Sequence, residues 1–216
     1  MSVLQDGSVL AWAVEDPDLD MAMHMYVTSA DGGPLYPSST CWDLFHGHEQ
    51  VRYLDLTNLD TSYVVDMRGL FSGFESLETV DVSCLDVSNV RDMSNLFFHC
   101  YSLREIDLSA WDTSKVTDMS GMFYECNSLE TLNLTNVKTG AVKNMNSMFF
   151  NCCLLTELDV SGFDTANVTD MMMMFRECSA LTELDVSRFD TAKVENMCEM
   201  FYFCQQLTSL DVSGWD

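Results

Sequence analysis

Aspartates recur along most of this chain at a fixed interval of 26 residues, and regularly spaced carboxylates can bind calcium. Calcium takes about six to eight oxygen ligands, many of them from carboxylates. The spacing has a second interpretation, because aspartates that accept hydrogen bonds from nearby backbone N–H groups stabilise turns and helix starts. The glycine-rich loops of calcium β-rolls are absent from the sequence, so we predict the turn role and keep calcium as the alternative. The candidate calcium ligands are Asp60, Asp86, Asp112, Asp164 and Asp190.

Few other residues have the types and spacing that catalysis or metal binding requires. His46 and His48 could form a metal pair, but no third ligand stands at helical spacing from them, so we predict a loop or cap role. No nucleophile elbow, P-loop or His-Glu-x-x-His motif occurs. Carboxylates that repeat many times indicate a structural role rather than a single active site. We therefore predict no enzyme activity, no catalytic residues and no cofactor.

Two stripes of side chains are candidates for binding another protein. One is a strip of carboxylates on the predicted sheet face, which suits a basic partner: Glu105, Asp107, Glu157, Asp159, Glu183 and Asp185. The other is a row of aromatic residues at the predicted helix edge, where exposed rings beside charges suit protein contacts. This row consists of Phe98, Tyr124, Phe150 and Tyr202. The alternative for the row is that its rings pack against one another.

The charge balance restricts the class of partner. The chain has 34 acidic and 10 basic residues, a net charge of −24. This charge disfavours nucleic acid and anionic membranes, which need cationic partners, and favours a basic protein surface. No apolar run reaches the roughly 20 residues of a membrane span, and the N-terminus lacks the basic and apolar regions of a signal peptide. We therefore predict no membrane insertion in this segment, no signal peptide and no anchor.

The elements that would position these side chains follow from the 26-residue repeat, which spans residues 51–216. Residues 103–109 alternate apolar and polar side chains, the pattern of a strand. The segment 119–126 places methionine, phenylalanine and cysteine at helical spacing on one face. We predict an α/β solenoid, a right-handed leucine-rich-repeat coil with a parallel sheet on one face and short helices on the other.

The core of this coil would contain two columns of identical side chains, one of stacked phenylalanines and one of cysteines. Because stacked Cβ atoms stay about 4.8 Å apart and a disulfide needs about 3.8 Å, we expect the column cysteines to be reduced. The columns are Phe71, Phe97, Phe123, Phe149, Phe175 and Phe201, and Cys100, Cys126, Cys152, Cys178 and Cys204.

Residues 1–50 lie outside the repeat, and we predict that they form an N-terminal β-hairpin and loop cap. The hairpin signal is Asp6-Gly7 between two apolar runs. The predicted division is therefore a cap over 1–50 and repeats over 51–216. Because the last repeat stops midway at Asp216, we expect the natural chain to continue. An uncapped coil also predicts end-to-end self-association.

The repeat motif resembles that of the BspA-family leucine-rich-repeat surface proteins of bacteria, most closely over residues 106–126 and 158–178. The resemblance implies a secreted or surface-anchored protein in adhesion or host-protein binding, and it implies no catalytic residues. We therefore predict a non-enzymatic repeat scaffold for protein binding or adhesion at a cell surface, with a basic or host-derived partner. The first alternative is a calcium-stabilised structural spacer within a larger surface protein. The second is an enzyme domain, which would need a unique polar pocket in residues 1–50.

Overall fold

Short strands are the regular secondary structure of the computed structural model, which describes residues 2–3, 9–16, 22–29, 33–42, 44–45 and 48–216. Five of these strands form one sheet and two form another. In chain order the strands are β1 (Ser2–Val3), β2 (Val9–Asp16), β3 (Ala22–Ser29), β4 (Val51–Asp55), β5 (Thr79–Val80), β6 (Glu105–Asp107) and β7 (Thr131–Asn133).

The first sheet joins the N-terminal segment to the repeats. Strands β1, β2 and β3 pair antiparallel, β3 then pairs in parallel with β4, and β4 pairs in parallel with β5. The register shifts between Met23 and His24, where β3 meets β4. Strands β6 and β7 pair in parallel and form the second sheet. The predicted Asp6-Gly7 turn lies outside the described residues, and the division at residue 50 stays a prediction.

The predicted α/β solenoid is wrong. No helix occurs in the described part of the chain, and the parallel strands of the repeats are only two to five residues long. The segments predicted as helices consist of consecutive turns, with left-handed residues at two positions that recur through the repeats. Within 119–126, Gly121 has a φ of 59° and Glu125 a φ of 57°. Residues in this conformation cannot belong to a right-handed helix.

The backbone hydrogen bonds give the physical reason for these turns. In each turn segment, every second backbone N–H group donates to the carbonyl three residues earlier. The N–H groups between them donate to backbone carbonyls of the next repeat. Tyr124 N–H donates to Gly121 O at 3.0 Å, whereas Gly121 N–H donates to Asn146 O at 2.8 Å. A helix would use these N–H groups internally and leave the repeats without backbone contact there. Since an isolated two-turn helix is marginal in water, the bonds between repeats favour turns.

Side chains of the same type stack between successive repeats and form the core. The rings of the predicted phenylalanine column lie 5.0–5.8 Å apart from centroid to centroid and are nearly parallel, so this stack is confirmed. The thiol of Cys126 donates to the carbonyl of Phe97 at 3.2 Å, and the other column cysteines bond in the same way. Burial raises the pKa of the Cys126 thiol well above its ordinary value. All cysteines are free, as predicted for the column.

Buried threonines join successive repeats on the turn side. The hydroxyl of Thr139 donates to the carbonyl of Asp164 at 2.9 Å and accepts a hydrogen bond from its N–H at 2.8 Å. Thr113 and Thr165 make the same two bonds to the repeats that follow them. Each hydroxyl thus satisfies a backbone donor and an acceptor that the stacking of repeats removes from water. Val87 interrupts the column and has no hydroxyl to do so.

A pair of glycine substitutions distinguishes these turns from the predicted helix. Met173 has a φ of 56°, a conformation that costs an L residue about 1–2 kcal/mol but suits glycine. Met173→Gly is therefore expected to leave the free energy of unfolding unchanged or to raise it by up to about 1 kcal/mol. Met172→Gly, at a position without this conformation, should lower it by about 1 kcal/mol. If urea unfolding showed the same loss of unfolding free energy for both variants, this would indicate a helix.

Candidate functional site

A concave surface lies over the outward side of strands β5, β6 and β7. It encloses about 630 Å³ and is lined by Asp81, Glu105 and Asp107, with Thr79 and Thr131 beside them. We call it the strand-face groove. The alternation of β6 explains its chemistry, since Ile106 points inward and is buried while Glu105 and Asp107 point outward and are exposed. The predicted carboxylates of this repeat therefore line a groove.

Each aspartate of the predicted strip is held by the turn that follows it. Ser109 N–H donates to Asp107 Oδ1 at 2.8 Å, and Asp159 and Asp185 accept the equivalent bond. Hydrogen bonds from the side chain and the backbone of Ser109 lower the pKa of Asp107 below its ordinary value of 3.8. The pKa values of Asp159 and Asp185 are lowered by the same kind of contact. These three carboxylates are therefore ionised and fixed in orientation at neutral pH.

The six predicted carboxylates, which we call the acidic strip, lie at matching positions of three repeats. All six are exposed: Glu105, Asp107, Glu157, Asp159, Glu183 and Asp185. Among the described residues none of them forms an ion pair. The cations beside the first two repeats bond to other carboxylates, Arg52 Nε to Glu78 at 2.9 Å and Arg104 to Glu130 at 4.0 Å. The strip therefore presents negative charge to solvent, offset in part at Asp185 by the nearby Arg188, which helps to lower the Asp185 pKa.

One repeat within this series carries asparagine instead of aspartate, and its geometry is unchanged. Asn133 Oδ1 accepts a hydrogen bond from Thr135 N–H at 3.1 Å, the same bond that the aspartates accept. The amide oxygen thus replaces the carboxylate oxygen in the turn while the charge is lost. Asp→Asn substitutions in the strip are therefore expected to preserve the local fold.

The predicted aromatic row packs largely against itself. Phe98 and Tyr124 stack with centroids 4.8 Å apart, and Tyr124 and Phe150 with centroids 4.4 Å apart. The guanidinium of Arg176 occupies the next position, 5.6 Å from the Phe150 centroid and 4.6 Å from that of Tyr202. Sequence reasoning missed Arg176, although it lies 26 residues after Phe150 and the period could have found it. Of the four aromatic residues only Tyr202 is highly exposed, at 48%.

The five aspartates proposed as calcium ligands take part in turns. The Oδ1 atom of each accepts a hydrogen bond from the backbone N–H two residues later, at 2.9–3.3 Å. Within the described ranges no three His, Cys, Asp or Glu side chains are grouped as a metal site requires. His48 lies near Phe74, with ring centroids 6.5 Å apart, and His46 lies outside the described residues. The hydrogen bonds that the five aspartates accept are those of Asx turns.

Lys138 replaces aspartate in this column and provides a test of the calcium alternative. Its Nζ donates to Asp112 Oδ1 at 3.0 Å, and both side chains are largely exposed. Lys138→Asp would put like charges side by side, so it is expected to lower the free energy of unfolding by about 0.2–1 kcal/mol, less at high salt. Calcium should not restore the loss. A thermal melt in which calcium stabilises the variant, and EDTA reverses the gain, would establish a metal role.

Comparison with known proteins gives a family but no activity. The family described as Mycoplasma protein of unknown function, DUF285, matches residues 39–152 and 130–216. No curated protein matches the chain. The described residues contain no helix long and apolar enough to span a membrane. The matching family is related to the BspA-like surface repeat proteins, but the match does not establish membership of the BspA leucine-rich-repeat family itself. The chain belongs to the DUF285 family of repeat proteins.

Proposed function

We propose that this chain is a non-enzymatic protein-binding module of a surface repeat protein, and that it binds a basic segment of a partner along the acidic strip. One observation carries the proposal: six exposed carboxylates, without ion pairs among the described residues, follow one face of three repeats and begin in a groove of about 630 Å³. The relation of the family to surface repeat proteins supports a location at the cell surface, and adhesion is the role that such a location favours.

A basic polypeptide satisfies the strip better than small cations do. Arginine binds carboxylates through two parallel hydrogen bonds, and lysine reaches them through a long flexible side chain. Neighbouring repeats lie about 4.8 Å apart, so the carboxylates of the last two strip repeats can pair with nearby side chains of one bound segment. The repeat with Thr131 and Asn133 separates them from Glu105 and Asp107 by about twice that spacing. The threonines and Asn133 that share the groove can bond to the backbone of that segment. The groove thus offers polar partners for both parts of a peptide.

The net charge of −24 supports the same class of partner through its long-range field. A strongly acidic protein attracts basic surfaces and accelerates their association, and salt reduces this effect. Hydrogen bonds from the following turn lower the pKa values of Asp107, Asp159 and Asp185, so these three carboxylates keep their charge at a lower pH than an ordinary aspartate does. Binding should therefore depend steeply on ionic strength.

The direct test is a titration of the protein with a labelled lysine-rich peptide of about twelve residues. We expect saturable binding with a dissociation constant in the micromolar range at low salt, and at least tenfold weaker binding in about 0.5 M salt. A glutamate-rich peptide of equal length is the control and should not bind. Equal binding of the two peptides, or lysine-peptide binding that salt leaves unchanged, would contradict the proposal. End-to-end self-association stays a separate prediction, which a monomer at every concentration in sedimentation would rule out.

A further inference from the structure

We propose that a second site binds a neutral sugar ring. Its lining residues and its ligand class differ from those of the acidic strip. It is a cavity of about 350 Å³ between the N-terminal segment and the first repeats, with the rings of Trp42 and Phe98 in its lining. We call it the tryptophan pocket. Its size is at the small end of the range for ligand pockets, roughly 300–1000 Å³, and suits one or two rings.

Backbone hydrogen bonds hold the residues beside Trp42, and the indole itself is open to solvent. Cys41 N–H donates to Asp66 O at 2.8 Å, and Leu44 N–H donates to Cys41 O at 3.1 Å. Trp42 is nevertheless 66% exposed. A ligand that covers this indole would bury its apolar surface, and such burial favours binding. An exposed indole in the lining of a cavity is suited to stacking on a flat ligand.

A glycine in a left-handed conformation lines the pocket next to the indole. Gly69 has a φ of 59°, and a Cβ atom there would lie 3.9 Å from Trp42 Cδ1 and 3.5 Å from Ser72 Cβ. The equivalent positions of later repeats hold larger residues, including Ser147, Met173 and Glu199. Among the glycines at this position, Gly69 lies near Trp42, whereas Gly121 lies against the side chain of Asn95.

The polar groups of the pocket have hydrogen-bonding capacity that the described residues do not use. The amide of Asn95 and the hydroxyl of Ser72 make no hydrogen bond within the described ranges, and both groups can donate and accept. Arg68 uses Nε and Nη2 to bind Asp66, at 2.7–3.0 Å, which leaves Nη1 available. Hydrogen-bond donors and acceptors therefore line the same cavity as the two rings.

The charges of the pocket favour an uncharged ligand. Arg68 is the one cation of the cavity wall, and Asp66 neutralises it, while Asp92 Oδ2 lies 3.6 Å from Arg68 Nε. Bound phosphate or carboxylate would meet both aspartates and the overall charge of −24. A bound cation would be repelled by the guanidinium of Arg68. A wholly apolar ring would leave the amide and hydroxyl without partners.

A pyranose satisfies all of these conditions. One face of the ring carries C–H groups that pack on an aromatic surface, and the rim carries hydroxyl groups that both donate and accept hydrogen bonds. The Trp42 and Phe98 rings match the C–H face, and Asn95, Ser72 and the free Nη1 of Arg68 match the hydroxyls. The ligand class is therefore a neutral hexose or N-acetylhexosamine, free or at the end of a glycan.

The test is ligand-observed saturation-transfer NMR with the methyl glycosides of glucose, galactose, mannose and N-acetylglucosamine. We expect at least one to bind with a dissociation constant of about 1 mM, the affinity that ordinary ligand efficiency gives a molecule of this size. Glucose 6-phosphate should bind at least fivefold more weakly than methyl glucoside, because of the two aspartates. Addition of the preferred glycoside should shift the indole N–H resonance of Trp42.

Matched variants locate the site. Trp42→Ala should weaken binding at least tenfold. Asn95→Gly should weaken it severalfold, since glycine accepts the φ of 57° and the variant loses the amide, together with its contact to Gly121. Tyr63→Ala removes an aromatic side chain that is 75% exposed and absent from the pocket lining, and it should leave binding unchanged. Absence of saturable binding for all four glycosides, or an equal loss in Tyr63→Ala and Trp42→Ala, would overturn the proposal.

Discussion

Phe123→Ala is expected to lower the free energy of unfolding by about 3–5 kcal/mol. The ring of Phe123 is fully buried and stacks between Phe97 and Phe149, at centroid distances of 5.5 and 5.8 Å and interplanar angles of 4°. Its removal leaves a cavity within a continuous column, and the neighbouring rings cannot close it because backbone hydrogen bonds hold their repeats in register. Urea unfolding monitored by tryptophan fluorescence measures the change.

Tyr124→Ala is the matched control in the adjacent position. The Tyr124 ring also stacks on both sides, but it is half-buried, and its neighbours can shift toward solvent. The expected loss is about 1–2 kcal/mol, from partial burial and the ring contacts with Phe98, His99 and Phe150. Equal losses of unfolding free energy in the two variants would contradict the assignment of Phe123 to the core and Tyr124 to the outer edge of the turn segment.

Neutralising the acidic strip is expected to weaken binding of the lysine-rich peptide by a factor of about 100 or more. The variant replaces Glu105, Glu157 and Glu183 by glutamine and Asp107, Asp159 and Asp185 by asparagine. Close charge pairs across an interface contribute between about 1.5 and several kcal/mol each, so the loss of six carboxylates removes most of the binding free energy. The thermal midpoint should stay the same or rise slightly, because asparagine keeps the turns and repulsion along the strip is removed.

The control for this variant has the same change in charge at a different place. It replaces exposed carboxylates outside the strip, Glu49, Glu75 and Glu195 by glutamine and Asp86, Asp164 and Asp190 by asparagine. Both variants remove six negative charges from the net −24, so the long-range field changes alike. The control should lose less than tenfold in affinity. Equal losses in the two variants would mean that overall charge, rather than the strip, determines binding.

The period of 26 residues predicted which side chains stack but not the backbone between them. The phenylalanine and cysteine columns follow from the period alone, since residues at the same phase of successive repeats are neighbours. The helix prediction failed because apolar residues at intervals of three and four also fit a series of turns that bury one side. Gly69, Gly73, Asn95 and Gly121, all at left-handed positions, were the sequence signal that this interpretation missed.

Of the candidate surfaces, the sequence predicted one and missed the other. Alternation in residues 105–109 was sufficient to place Glu105 and Asp107 on an exposed face. The tryptophan pocket could not be predicted, because Trp42 lies outside the repeat and its approach to Gly69 depends on hydrogen bonds between segments distant in sequence. Arg176 was missed for a different reason, since a charged residue in an aromatic column breaks the pattern that identifies the column.

The most direct test of the account is to locate the bound peptide by amide hydrogen exchange of the wild-type protein with and without saturating lysine-rich peptide. The account predicts slower exchange in residues 105–109, 157–161 and 183–187, which carry the acidic strip, and little change in the turn segments 119–126 and 171–178. Protection confined to the turn segments, or a bound peptide that protects no part of the strip, would contradict the assignment of this face as the binding surface.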